Sequence, residues 1–254
     1  MLNAFALLSL MSIIICTILA VIVYFKEVRY VFFNKTGKLF VLLCLSLAFF
    51  WALIEFGYRF SGDFNTAYSW LKLNVLWYIV MSFLLHLSLV YTEHKHLLKK
   101  KITHLLIYGP ALAFFLIDIS TNLLVTEPIK ESWGWTFGIP TNPIVHSISS
   151  TWAAFMALFC LYIFLDYSTK TYSTIRKKQT KYLAIGICIP VVIGLNTEWI
   201  FPILGIRFPE LLVPALTSGL IIIWYGIWVY SPDKNKNRYS FVKNEVDKII
   251  KSFG

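Results

Sequence analysis

Apolar residues along this chain fall into seven blocks, residues 4–25, 39–58, 70–91, 102–124, 147–167, 182–201 and 211–230, separated by polar stretches. About 20 residues of helix cross the hydrocarbon of a bilayer, so each block predicts one transmembrane helix. Proline interrupts three of them, at Pro110, Pro190 and Pro214. Each ring removes a backbone donor and frees a carbonyl one turn earlier, which predicts kinks. Beyond Tyr230 the pattern changes: Ser231-Pro232-Asp233-Lys234 is polar, and then Val242, Val246, Ile249 and Phe253 recur at spacings of four, three and four. That is the a/d rhythm of a coiled coil, over a length that suits an amphipathic helix on the membrane surface equally well. The expected organisation is a transmembrane sensory domain over residues 1–230 and a cytoplasmic linker helix over 231–254, whose four apolar positions carry signal output.

The connections between blocks alternate in character. Basic ones such as Lys99-Lys100-Lys101 and Arg176-Lys177-Lys178 alternate with loops rich in Gly, Pro, Asn and Trp. Loops one, three and five and the tail hold four, four, five and six Lys or Arg, 19 of the 23, against Arg59, Lys72, Lys130 and Arg207 on the other side. Positive charge is retained on the cytoplasmic side during insertion, so the amino terminus is expected outside and the carboxyl terminus inside, which needs an odd number of spans. The first block has no positive n-region and no small-residue cleavage site, the pattern of a retained helix rather than a cleaved signal.

Composition narrows the picture further. With 58% hydrophobic and only 14% charged residues, a water-soluble globule is excluded. The net charge of +10 then reads as a topology signal and an attraction to anionic lipid, with no nucleic-acid partner required. Cys16, Cys44, Cys160 and Cys188 all lie inside apolar blocks, as small hydrophobes without disulfide or zinc spacing. The fold class expected is all-α: a polytopic membrane protein built as a seven-transmembrane-helix bundle.

Candidate chemistry gathers toward the outer ends of the spans. Trp51, Glu55 and Tyr58 share one helical face, with Lys72 and Asn74 at the start of the third span. Asp118, Thr121 and Asn122 form a face of the fourth, His146, Ser149 and Ser150 one of the fifth, and Asn196 and Glu198 end the sixth. Arg207 and Glu210 follow in the last outer loop, and Trp135 sits in a long aromatic loop, 131–140, that could act as a lid. Charge is costly at membrane depth, so these groups either line an outward-opening pocket for a small molecule or lipid, or reach the head groups and pair structurally, as Glu55 with Lys72 would. The expected ligand contacts are Trp51, Glu55, Tyr58, Lys72, Asn74, Asp118, Asn122, Trp135, His146, Asn196, Glu198 and Arg207.

Catalytic, metal and cofactor signals are missing from the sequence. His94-x-His96 sits among lysines that oppose a cation, His86 reads as a hydrogen-bonding residue of the third span, and neither H-E-x-x-H nor G-x-S-x-G occurs. The last span has no lysine for a retinal Schiff base. A non-enzymatic module without metal or cofactor is therefore expected.

From the second span onward the chain resembles the seven-transmembrane region at the amino terminus of prokaryotic sensor histidine kinases, over about residues 5–230. The carriers are Phe50-Trp51-Ala52-Leu53-Ile54-Glu55, Leu87-Ser88-Leu89-Val90-Tyr91-Thr92, Thr121-Asn122, and Lys177-Lys178-Gln179-Thr180-Lys181-Tyr182 running into Gly186, Ile189-Pro190 and Asn196. Phe208-Pro209-Glu210-Leu211 completes the set. In that family the third span often has a central proline, which Val80-Met81-Ser82-Phe83 does not supply. The resemblance implies an outside-facing sensor whose last helix continues into a cytoplasmic output domain or acts through a partner kinase, in a two-component system; a homodimer, reporting through the Val242 to Phe253 helix, is a separate expectation. No phosphoacceptor region or ATP-binding domain lies within these residues. The alternative classes are a small transporter and a structural or assembly subunit.

Overall fold

The computed structural model describes residues 3–28, 35–124, 126–140, 142–201 and 204–229. The expected output positions Val242, Val246, Ile249 and Phe253, with the rest of the 231–254 linker, lie outside the described residues. All seven apolar blocks are helices: α1 (Ala4–Phe25), α2 (Lys35–Phe60), α3 (Phe64–Tyr91), α4 (Lys101–Thr121), α5 (Pro143–Lys170), α6 (Thr174–Glu198) and α7 (Leu212–Val229). Each is long and apolar enough to span a bilayer, and the chain is a multi-pass protein of the cytoplasmic membrane.

Several helices begin earlier than their apolar blocks because caps, rather than hydropathy, fix their starts. Asp63 accepts from the Thr66 N–H at 2.9 Å and opens α3, and those bonds hold its carboxyl below the ordinary range. Asn142 accepts from Ile144 N and Val145 N ahead of Pro143 in α5, and Ser173 caps α6. In the other direction, α4 stops at Thr121 because Asn122 takes a left-handed conformation, φ 56°, and returns its N–H to the Asp118 carbonyl at 2.9 Å.

The helices α1, α2, α3, α5, α6 and α7 pack in that order around the bundle, and α7 returns to α1. The fourth helix rests on α3. Ser82 Oγ donates to the Ile107 carbonyl at 2.8 Å, and His86 Nδ1 and the Tyr108 hydroxyl share a hydrogen at 2.7 Å, so His86 is the bonded residue expected of it. The opposite face of α4, with Leu105, Leu112 and Leu116, is exposed and apolar, as a lipid-facing surface must be. Cys16, Cys44 and Cys160 are buried and Cys188 is exposed, all as free thiols.

The closest helix contact lies between α6 and α7. A Cβ on Gly219 would fall 2.1 Å from the Gly186 carbonyl oxygen, and one on Gly186 would fall 2.7 Å from the Gly219 oxygen. Lipid offers little hydrophobic drive between helices, so close backbone approach at small residues supplies the packing. Pro190 of α6 lies beside this contact. Pro110 and Pro190 stand inside their helices as expected, but Pro214 does not interrupt a span: it occupies the first turn of α7, where its missing donor has no intrahelical partner to lose. Wide π turns at Ala48–Ala52, Leu195–Ile200 and Tyr225–Val229 each add a residue to the local ladder, a form that recurs at functional sites.

One departure from an all-helical chain is a β-hairpin, β1 (Thr126–Glu131) with β2 (Gly134–Pro140), pairing Glu131 with Gly134 around Ser132-Trp133. Gly134, at φ 111°, gives the turn a conformation that side-chain-bearing residues rarely adopt. From the α6–α7 contact, Gly186→Ala and Gly219→Ala should each lose about 1–3 kcal/mol of stability in reversible unfolding in mixed micelles. Gly62→Ala, with nothing within 4 Å of the new carbon, should be unchanged.

Candidate functional site

At the hairpin end of the bundle a buried chain of polar groups crosses from helix to helix. Ser9 Oγ of α1 donates to Glu55 Oε1 of α2 at 2.7 Å. One turn on, Arg59 Nε lies 3.2 Å from the same oxygen, and its Nη2 reaches both Glu210 Oε2 and the Glu210 carbonyl at 3.0 Å. The Thr136 hydroxyl of β2 donates to Glu210 Oε1. Arg59 is only 2% exposed, and the Phe5 and Tyr58 rings flank its guanidinium. A single guanidinium thus pairs with two acids, and the network centred on it joins four separate segments.

The hairpin is fixed to this network as a stopper. Trp135 and Phe137 share one face of β2 and pack with Ile54, Tyr58, Ala67 and Leu71 from α2 and α3. Trp135 Nε1 donates to the Ser61 carbonyl at 2.9 Å, and Gly134 lies against the Arg59 backbone. The stretch expected as a long aromatic loop is therefore corrected to paired β structure, in which Trp135, the residue named as a lid, is an anchor only 9% exposed.

Beneath the stopper lies a cavity of about 690 Å³, walled by α2, α3, α4, α5, α6, the start of α7, the hairpin and the 205–210 loop. Its interior is chiefly apolar and aromatic. Trp51 and Trp77 have ring centroids 4.9 Å apart, Tyr78 packs on Trp77 at 4.2 Å, and Phe137 and Trp133 close the top. On α3 the wall includes Asn74, where one tight turn, Asn74–Leu76, interrupts the helix. On α6 it includes Pro190, Gly194, Thr197 and Glu198, so the proline and the following π turn form one side.

Of the residues expected to meet a ligand, Trp51, Glu55, Asn74, Asp118, His146, Glu198 and Arg207 line this cavity. The other five do not. Tyr58 is fully buried against Phe137, and Lys72 is half-buried off the wall. Asn122 ends α4 in its left-handed turn, Asn196 Nδ2 is turned to its own helix, donating to the Val192 carbonyl at 2.7 Å, and Trp135 anchors the hairpin. The Glu55–Lys72 pair does not form, because Arg59, four residues along the same face, takes that carboxylate. Arg59 itself, read as an outer surface charge, is the residue sequence reasoning missed; its i, i+4 spacing from Glu55 was the available signal. Ser9, Thr136, Trp77 and Tyr78 carried no comparable sign.

The family described as the N-terminal 7TM region of histidine kinase matches residues 8–232. This chain belongs to that family. No curated protein and no solved structure matches it. As an N-terminal 7TM region of histidine kinase, the chain is a membrane sensor module, and the cavity and ion network described above occupy one end of that module.

Removing Arg59 leaves two buried carboxylates facing each other without a cation. Arg59→Met should cost about 3–5 kcal/mol in micellar unfolding, and adding Glu55→Gln with Glu210→Gln should recover most of that loss.

Proposed function

We propose that the bundle is an outside-facing receptor module that takes a small molecule or lipid into the cavity and passes the binding energy along α6 and α7 to a cytoplasmic output domain or partner kinase. The observation that carries this reading is that α6 serves two surfaces at once. Its segment Pro190–Glu198 forms one wall of the cavity, while Gly186 and the Pro190 ring lie against Gly219 of α7. A ligand that prefers one α6–α7 packing over another by ~100-fold supplies about 2.7 kcal/mol to the switch. The end of α7 is tied to this path: Gln179 of α6 donates weakly to the Ile227 carbonyl at 3.5 Å and accepts from the Tyr91 hydroxyl of α3 at 3.2 Å.

Orientation in this reading follows from charge. The hairpin end exposes few basic groups, because Arg59 is internal, whereas Lys99, Lys100 and Lys101 and the 170–181 segment expose many at the other end.

Two measurements test the reading. A membrane-impermeant maleimide should label Gly62→Cys in intact cells and Tyr172→Cys only after the membrane is opened; the reverse pattern sinks the orientation. Filling the cavity with Ala153→Trp should imitate a ligand and alter the line shape of a nitroxide on Val229→Cys at the end of α7. An unchanged spectrum would break the proposed coupling.

A further inference from the structure

The cavity wall is unbalanced in its ionisable side chains. Four carboxylates line it, those of Glu55, Asp118, Glu198 and Glu210, with Arg207 as its one guanidinium. Arg207 is already engaged at the rim, where its Nη1 lies 3.4 Å from Glu131 Oε1 and its side chain is 58% exposed. Arg59 stands behind the wall and serves Glu55 and Glu210 together. Asp118 Oδ1 accepts the Leu124 N–H at 2.8 Å. Glu198 accepts the Leu212 N–H, lies within electrostatic reach of Glu210, Glu55 and Arg59, and forms no ion pair within 4 Å with a Lys or Arg among the described residues. In a wall of low dielectric an entering cation stabilises the ionised form of these acids, whereas an anion is opposed.

Two independent features point the same way. Asn74 and Thr126 are both more than nine-tenths buried and both line the cavity, and among the described residues neither Asn74 Oδ1 nor Thr126 Oγ1 has a hydrogen-bond partner. A buried acceptor without a donor is costly, and a ligand that brings N–H groups removes that cost. The surrounding wall is aromatic, with Trp51, Trp77, Tyr78 and Phe137 presenting ring surface of the kind that attracts ammonium groups. Trp133 Nε1 is a buried donor of the wall without a partner among the described residues, and the Thr126 hydroxyl can donate as well as accept.

We infer that the cavity selects an organic cation: a protonated or quaternary amine on an apolar body, its positive head drawn to the acid-rich wall at Glu198, with an acceptor elsewhere for Trp133. This rests on the pocket reading above and narrows it to one ligand class.

The test uses the full chain in membranes with Cys188→Ala and a new thiol inside the cavity, Ser150→Cys or, as a second variant, Ala154→Cys. Both positions line the cavity and are half-buried. Two thiol reagents of similar size and opposite charge are compared, trimethylammonioethyl and sulfonatoethyl methanethiosulfonate, with Gly62→Cys as the surface reference. The cationic reagent should be favoured inside the cavity by at least ~10-fold over the reference ratio, and Glu198→Gln should lower that preference several-fold. Equal rates, a preference for the sulfonate, or indifference to Glu198→Gln would overturn the cation assignment while leaving the pocket reading standing. Failure of both cavity thiols to react with either reagent, while Gly62→Cys reacts, would overturn both.

Discussion

The interaction on which the rest depends is the placement of one guanidinium between two acids inside a membrane bundle. A charge buried among packed helices is tolerated only when it is paired, and Arg59 meets that condition by drawing on residues far apart in sequence. Glu55 comes from its own helix, but Glu210 comes from the loop before α7, and Ser9 and Thr136 complete the chain from α1 and the hairpin. The network is therefore a positional constraint as much as an energetic one. The start of α1, the end of α2, the hairpin and the loop into α7 must converge on one point, and the cavity is the space left beneath that convergence.

Two kinds of contact divide the labour. Around the stopper, aromatic packing and fixed hydrogen bonds hold the hairpin to α2 and α3, with Trp135 seated on Ser61 and Phe137 on Tyr58. Along α6 and α7 the contact is of a different sort, made by backbone on backbone with glycine on both sides. Directional bonds with large side chains resist displacement, whereas a seam of small residues depends on close fit alone. The wall formed by Pro190 and the π turn after it belongs to the second kind.

Most of the architecture was legible in the sequence, for a simple reason. Burying a helix in lipid leaves a hydropathy signal about as long as the span, and α1 over 4–25 shows it without distortion. Where polar caps start a helix, as Asp63 does for α3, the apolar block begins late and the sequence reading is shortened accordingly. The hairpin was read as a loop because its alternation is brief and its aromatic residues also suit a membrane interface. Of the candidate contacts, those one helical face apart, such as Trp51 and Glu55, were found together on the wall. Tyr58 shared that face but lies one turn higher, where the stopper covers it. Arg59 was misplaced because topology counting treats every arginine near a span end as solvated, and only three-dimensional convergence with Glu210 shows otherwise.

The glycine seam has a mechanical corollary. With glycine on both helices where the backbones of α6 and α7 meet, a small axial shear moves backbone past backbone and meets side chains only beside the seam, at Ile223 and Pro190. Rotation about the helix axis is different, since the Ile223 side chain flanks Gly186 and would be driven against it. The geometry is that of a keyed slide: it leaves one degree of freedom open while obstructing another, and so fixes the direction in which force can be delivered.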